Sequence, residues 1–195
     1  GSEMCIRDRY LDEPDSNFSC VPLFFLAKLA SQDLRVVLSG EGADELFAGY
    51  IDYGVHTRSK LIKVVTRMLA KLPKKLRYAI GRAAKGKHFH GAWHLYANLA
   101  PAEEHFIGQS KVFNEEDAVK LLKPEYRKGP SVRSIVDAIY NRIAGKGLSE
   151  VKKKQYLDMH QWMPGDILLK ADKMTMAHSL AVSYTHLTLP TNREV

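Results

Sequence analysis

The run Leu34-Arg35-Val36-Val37-Leu38, followed at once by Ser39-Gly40-Glu41-Gly42, limits the fold more than any other segment. A short, β-branched, nearly all-apolar run reads as a buried parallel strand. Glycines placed directly after it allow a tight turn and a close approach of backbone to a ligand. Residues 43–53 then read as a helix with Leu46, Phe47 and Tyr50 on one face. Strand, glycine turn and helix start together predict an α/β arrangement, in which ligands bind outside the carboxyl ends of the strands.

Elsewhere the periodicity is helical. Residues 22–32 read as a helix in which Leu23, Leu26, Ala27 and Ala30 follow a helical spacing. From residue 57 onward, Leu61, Val64, Val65, Met68, Leu69 and Leu72 follow the i, i+3, i+4 spacing of a core-facing stripe, ended by Pro73. Further helices are predicted over 76–84, 93–99, 115–122, 131–144, 149–162 and from Pro164 to about Met176. Asn114 is placed to cap the third of these. Trp93 and Trp162 read as core residues. One strand cannot make a sheet, so the pattern predicts strands beyond those visible here.

Composition excludes several classes. Apolar residues make up 45% and charged residues 26% of the 195, a globular balance that argues against disorder over the whole length. No apolar run is long enough to span a bilayer, and no signal-peptide layout is present. Cys5 and Cys20 make no disulfide framework, so a reducing cytoplasm is the expected location. The net charge of +7 is local. Eleven of the 29 Lys and Arg residues fall between Arg58 and Lys87, where there is no acid. Nucleic acid and anionic membrane are the partners such a stretch could serve, but a solvated helix face is the favoured reading. His88, His90 and His94 read as solvated rather than as metal ligands, for no Cys or acid completes a shell.

Three carboxylates, Glu41, Asp44 and Glu45, crowd the glycine turn. Beside a phosphate site they point to a bridging Mg²⁺. At a helix start they equally serve the helix dipole. The residues leave both readings open.

Ser39-Gly40-Glu41-Gly42-Ala43-Asp44-Glu45-Leu46-Phe47-Ala48-Gly49-Tyr50 resembles the second signature of the synthetase domain of glutamine-hydrolysing asparagine synthetases. The segment from Gly165 through Lys170, Lys173 and His178 to Leu180 is similar to the third. Leu11-Asp12-Glu13-Pro14 and the helix after Pro22 also resemble that family, and the likeness covers residues 10–182. It implies a fragment of an α/β, pyrophosphatase-type (adenine-nucleotide hydrolase-like) parallel-sheet domain, with one clear strand here and mostly helices after it. It implies an ATP- and Mg²⁺-dependent ligase forming a carbon–nitrogen bond. Such an enzyme adenylates the aspartate side chain and transfers glutamine-derived ammonia to give asparagine, AMP and pyrophosphate. A glutaminase domain is expected in the full-length chain, and a homodimer is the assembly to test.

Carried over by motif, Ser39, Gly40, Glu41 and Lys170 would bind ATP. Glu41 would orient the intermediate or accept an ammonia proton. Asp44 would bind Mg²⁺ or the substrate amino group, Tyr50 the substrate, and Lys173 would stabilise phosphate charge. His178 lies inside the third signature, where lining the site and packing in the core are both open to it, and it reads as a core histidine.

The family's Ser-Gly-Gly-x-Asp-Ser loop is not found in this sequence, so this chain alone is expected to be inactive. Met4-Cys5-Ile6 does not match the family's N-terminal catalytic cysteine, and Ala181 stands where the family usually has Glu. Residues 1–9 and 183–195 read as foreign ends that resemble translated adapter sequence. The alternatives are a related amidotransferase acting on another carboxylate and a basic helical module for nucleic acid or membrane. Glu41 argues against the β-lactam-forming branch, which resembles this motif with Tyr there.

Overall fold

The computed structural model describes residues 9–12, 17–54, 60–87, 91–109, 111 and 115–182. In chain order the elements are α1 (Cys20–Ala30), β1 (Val36–Val37), α2 (Ala43–Phe47), α3 (Lys60–Leu69), α4 (Lys74–Ala84) and α5 (Ala92–Leu99). There follow α6 (Ala102–His105), α7 (Glu115–Leu121), α8 (Val132–Asn141), α9 (Glu150–His160), α10 (Leu168–Met176) and β2 (Ala181–Val182). The chain divides into two units, one of residues 1–43 with 162–195 and one of residues 44–161. Asn114, His88, His90 and all but Arg9 of the two atypical ends lie outside the described residues.

In the first unit α1 packs against α10. α1 buries Cys20, Phe24 and Ala27, positions i, i+4 and i+7 of one helical face. Leu26 is exposed and lines a cavity with Leu23, Ala27 and Ala30, while the face carrying Phe24 meets Met174. Leu11, Cys20, Phe24 and Met174 form the core. Met174 is fully buried, and truncating such a side chain to Ala costs about 2–5 kcal/mol. A π-helical turn at Met163–Ile167 leads into α10.

The chain holds a second strand that hydropathy alone did not show. β1 and β2 pair in parallel, Val36 opposite Ala181 and Val37 opposite Val182. Leu38 is 86% exposed, so the segment is not the strand buried on both faces that its composition predicts. Among the described residues each strand is two residues long and has one neighbour, too little sheet to cover the apolar side chains on its outer face.

The second unit is helical. Tyr53, Phe106, Val136, Ile139, Tyr140, Ile143 and Leu157 form its main core. Ser131 and Ser149 cap α8 and α9, their hydroxyls accepting from the amides of Ser134 and Lys152. The predicted helix over 43–53 is interrupted. α2 ends at Phe47, Ala48 takes a left-handed φ of 59°, and a 3₁₀ turn covers Ile51–Tyr53. Leu46 and Phe47 are consequently exposed and Glu45 is the buried residue of α2.

Two more expectations are corrected. α3 turns Thr66 inward, with Ile62 and Leu69 half-buried beside it, and leaves Leu61, Val64 and Met68 in solvent. Trp93 is 61% exposed, because α5 buries Ala92, Tyr96 and Leu99 and the residue after Ala92 projects sideways. Trp162 is half-buried.

Two ionisable groups of this unit oppose one another. Asp158 is completely buried, accepting from the Tyr53 hydroxyl at 2.6 Å and from the Gln109 amide at 3.0 Å. Burial outweighs these donors and pushes its carboxyl up to about 6. The folded state thus binds its proton more tightly than the unfolded chain does. Stability from this group falls by about 3 kcal/mol as pH rises from about 4 to 6. His105 Nδ1 donates to the Pro101 carbonyl at 2.9 Å, and burial together with the nearby Lys154 charge pushes the imidazole down to about 4. Its contribution runs the other way, lost as pH falls from about 6.5 to 4, and partial exposure reduces its size.

We predict that Asp158→Asn makes stability, relative to the parent chain, rise with pH between about 4 and 6, by up to about 1.4 kcal/mol per pH unit. His105→Gln should make it fall over the same range. Urea midpoints across that range test this, and parallel profiles for both variants and the parent would refute it.

Candidate functional site

The glycine turn sits at the carboxyl end of β1, where Ser39 Oγ accepts from the amide of Glu41 at 3.2 Å. Gly42 has a φ of +86°, the left-handed region that L side chains enter at a cost of about 1–2 kcal/mol. A Cβ there would also lie 3.2 Å from Met163 Sδ. The Ala43 amide donates to the Gly40 carbonyl at 3.2 Å, closing the turn. A cavity of about 290 Å³ opens at this turn. Ser39 and Glu41 line it at the strand end, and Leu26, Ala27, Val37 and Leu180 are among its apolar walls. Apolar walls with a few placed polar groups are the usual make-up of a small-molecule pocket.

Lys170 and Lys173 belong to the same unit but do not line that cavity. Lys170 is buried and donates to Ser19 Oγ at 2.9 Å. Ser19 in turn donates to Asn17 Oδ1, and Asn17 donates to both oxygens of Asp166. Lys173 is paired with Asp12, whose carboxylate raises the lysine's proton affinity. His178 lies edge-on to Phe24, ring centroids 4.4 Å apart, and burial and the Lys28 charge hold it below the usual imidazole range. It is a packing residue of the first unit.

Asp44 and Tyr50 belong to the second unit. Asp44 is exposed, and its carboxylate lies against Gly49, where a Cβ would come within 1.9 Å of Oδ1. Glycine at 49 is therefore what leaves the Asp44 carboxylate its place. Tyr50 donates to Glu45 Oε1 at 2.8 Å. Glu45 is 1% exposed, so of the three acids at the turn it is the one taken up by the fold. Among the described residues no group of three or more His, Cys, Asp or Glu stands together to hold a metal.

A further cavity of about 210 Å³ lies within the second unit, lined among others by Trp93, His105, Gln109 and Lys154. Sequence reading missed it. Its polar residues come from the 3₁₀ turn Ile51–Tyr53, α6, the loop after α6 and α9, and no sequence period connects them.

Residues 6–185 match the asparagine synthase family model, and the chain belongs to that family. It is 37% identical over 171 residues to asparagine synthetase (glutamine-hydrolysing) 1 of Bacillus subtilis, an alignment covering 88% of this chain and 26% of that protein. It is 38% identical over 173 residues to a Mycobacterium bovis protein given the asparagine synthetase name provisionally, covering 88% and 25%. The asparagine synthetase of Asparagus officinalis is 27% identical over 180 residues, covering 89% and 29%. The chain spans about a quarter of the length of the Bacillus subtilis and Mycobacterium bovis relatives. No solved structure matches it significantly.

We predict that Gly42→Ala destabilises the chain by about 1–2 kcal/mol, while Gly40→Ala, with nothing within 4 Å of its Cβ, changes stability by no more than about 0.5 kcal/mol. Denaturant melts of the two variants decide this, and equal losses would show that the turn does not depend on the left-handed residue.

Proposed function

We propose that the protein to which this chain belongs is an ATP-dependent ligase that makes asparagine from aspartate, with ammonia drawn from glutamine. The observation that carries the reading is the Ser39-Gly40-Glu41-Gly42 turn, set at the carboxyl end of a parallel strand and opening onto a cavity of about 290 Å³. Family membership supports it, as do the names of the relatives.

In this reading the domain is of the pyrophosphatase type and the nucleotide meets Ser39 and Gly40. An aspartate carboxylate oxygen bonds to the α-phosphorus and pyrophosphate leaves. Ammonia then bonds to the acyl carbon and AMP leaves. Glu41 is half-buried at the strand end, so its carboxylate is available to take a proton from the attacking ammonia, a role worth about 10²–10⁴-fold in rate. Lys173 and Lys170 supply positive charge for the phosphates. Tyr50, held by Glu45, shapes the substrate side.

Magnesium is tested against the donor set. Mg²⁺ typically takes one or two carboxylates and completes its shell with phosphate oxygens and water. A lone exposed carboxylate, Asp44, fits that mode and does not fit an all-protein cage. Asp44 would hold the ion, which supplies charge neutralisation at the phosphates, or else would take the substrate ammonium. A glutaminase domain elsewhere in the polypeptide, a homodimer and a cytoplasmic setting belong to the same proposal. Among the described residues no helix is long and apolar enough to cross a membrane.

The test uses the full-length protein. Glu41→Gln keeps the shape and removes the charge. It should depress asparagine formation about 10²-fold or more while pyrophosphate release falls much less. Asp44→Asn should lose aspartate-dependent pyrophosphate release. If Glu41→Gln lowers both products by one factor, Glu41 acts in or before adenylation. If the parent protein releases no pyrophosphate with aspartate, the ligase reading fails.

A further inference from the structure

Helix α3 carries two features that the ligase chemistry does not use. Its first is an outward apolar strip. Leu61 is 72% and Met68 67% exposed, with Val64 and Val65 exposed between them. At 100° per residue these four span one continuous arc of the helix, distinct from the inward arc of Ile62, Thr66 and Leu69. A lone exposed leucine is ordinary on a protein surface, but four neighbours on one helix face make a patch.

The second feature is charge. Lys60, Arg67 and Lys71 lie along the next arc, bordering the apolar strip, and all are exposed. Lys74 and Lys75, exposed at the start of α4, extend the basic zone. No acid occurs between Arg58 and Lys87. Among the described residues, the ion pairs of this stretch are Arg77 with Glu150 and Arg82 with Glu104, both on α4 and facing other helices. The lysines and arginine named above have no acidic partner among them.

An apolar strip flanked by unpaired Lys and Arg, on a helix too short to span a bilayer, is the pattern of a helix lying in a membrane interface. A nucleic acid would use the basic arc and leave the apolar strip in water. A neutral protein groove would use the strip and leave the cations unmatched. We propose that α3 and the start of α4 form a docking surface for an anionic lipid bilayer, the apolar side chains entering the headgroup boundary and the cations meeting lipid phosphates.

The experiment is cosedimentation of the full-length protein with phosphatidylcholine vesicles, alone and doped with phosphatidylglycerol, at low and high salt. Binding should require the anionic lipid and weaken with salt. Lys71→Glu with Lys74→Glu should weaken it about tenfold or more, since each cation near such a surface contributes roughly fivefold. Leu61→Asn with Met68→Asn should also abolish it without lowering the melting temperature, because both side chains are already in solvent.

Equal binding to neutral and anionic vesicles would overturn the proposal, for the strip would then adhere to any interface. Vesicle binding unchanged by either double variant would overturn it too. So would absence of vesicle binding combined with salt-sensitive binding to duplex DNA, or with self-association lost in Leu61→Asn/Met68→Asn.

Discussion

A carboxylate with no access to water must be met by donors, and in the second unit that demand falls on Asp158. Its two oxygens draw in the Tyr53 hydroxyl, from the turn after α2, and the Gln109 amide, from the loop after α6. Two segments far apart in sequence are thereby fixed around one side chain of α9. The aromatic core assembles on the same group, with Tyr53 edge-on to both Tyr50 and Phe106. Neighbouring charge is handled the same way. Lys154 is buried one helical turn from Asp158 and donates to the Asp52 carbonyl at 2.8 Å. Polar groups placed inside a unit like this fix its geometry, because each misalignment leaves a buried group unmet.

The sequence was informative where one residue decides a backbone event. Pro73 separates α3 from α4, Ser131 and Ser149 begin α8 and α9, and the glycines after Leu38 make the turn. It was least informative where the outcome depends on a partner from elsewhere. The apolar spacing of α3 identifies a helix but not its inward face, since Thr66 rather than Met68 faces the interior. β2 is two residues long, too short for alternation to show, and exists because Ala181 and Val182 meet β1. Ala48 carries no mark of its left-handed φ. The break after α2 is a tertiary result.

The same split runs through the candidate site. The turn of Ser39 to Gly42 after β1 is a local consequence of strand and glycines and was legible, whereas the cavity beside it is walled largely by α1, α10 and β2 and was not. Lys170 was named for a ligand, and its position in the motif contains no sign that Ser19, 151 residues away, would receive its ammonium. Glu45 and Asp44 adjoin in sequence, yet one is enclosed with Tyr50 and the other stands in solvent beside Gly49. Helical rotation of 100° per residue is enough to divide them.

Gln155 has a consequence for the order of folding. Its side-chain amide donates to the carbonyls of Glu45 and Leu46, both at 2.8 Å, tying the beginning of the second unit to its last helix. That unit is inserted between the two halves of the first, whose strands lie near opposite ends of the described chain. Closing a long flexible loop to pair β1 with β2 costs about 0.6 kcal/mol for every doubling of its length. A second unit that folds early draws its own ends together through Gln155 and removes most of that length. Parallel pairing then becomes a nearly local event, and the Ser39–Gly42 turn at the end of β1 forms with it.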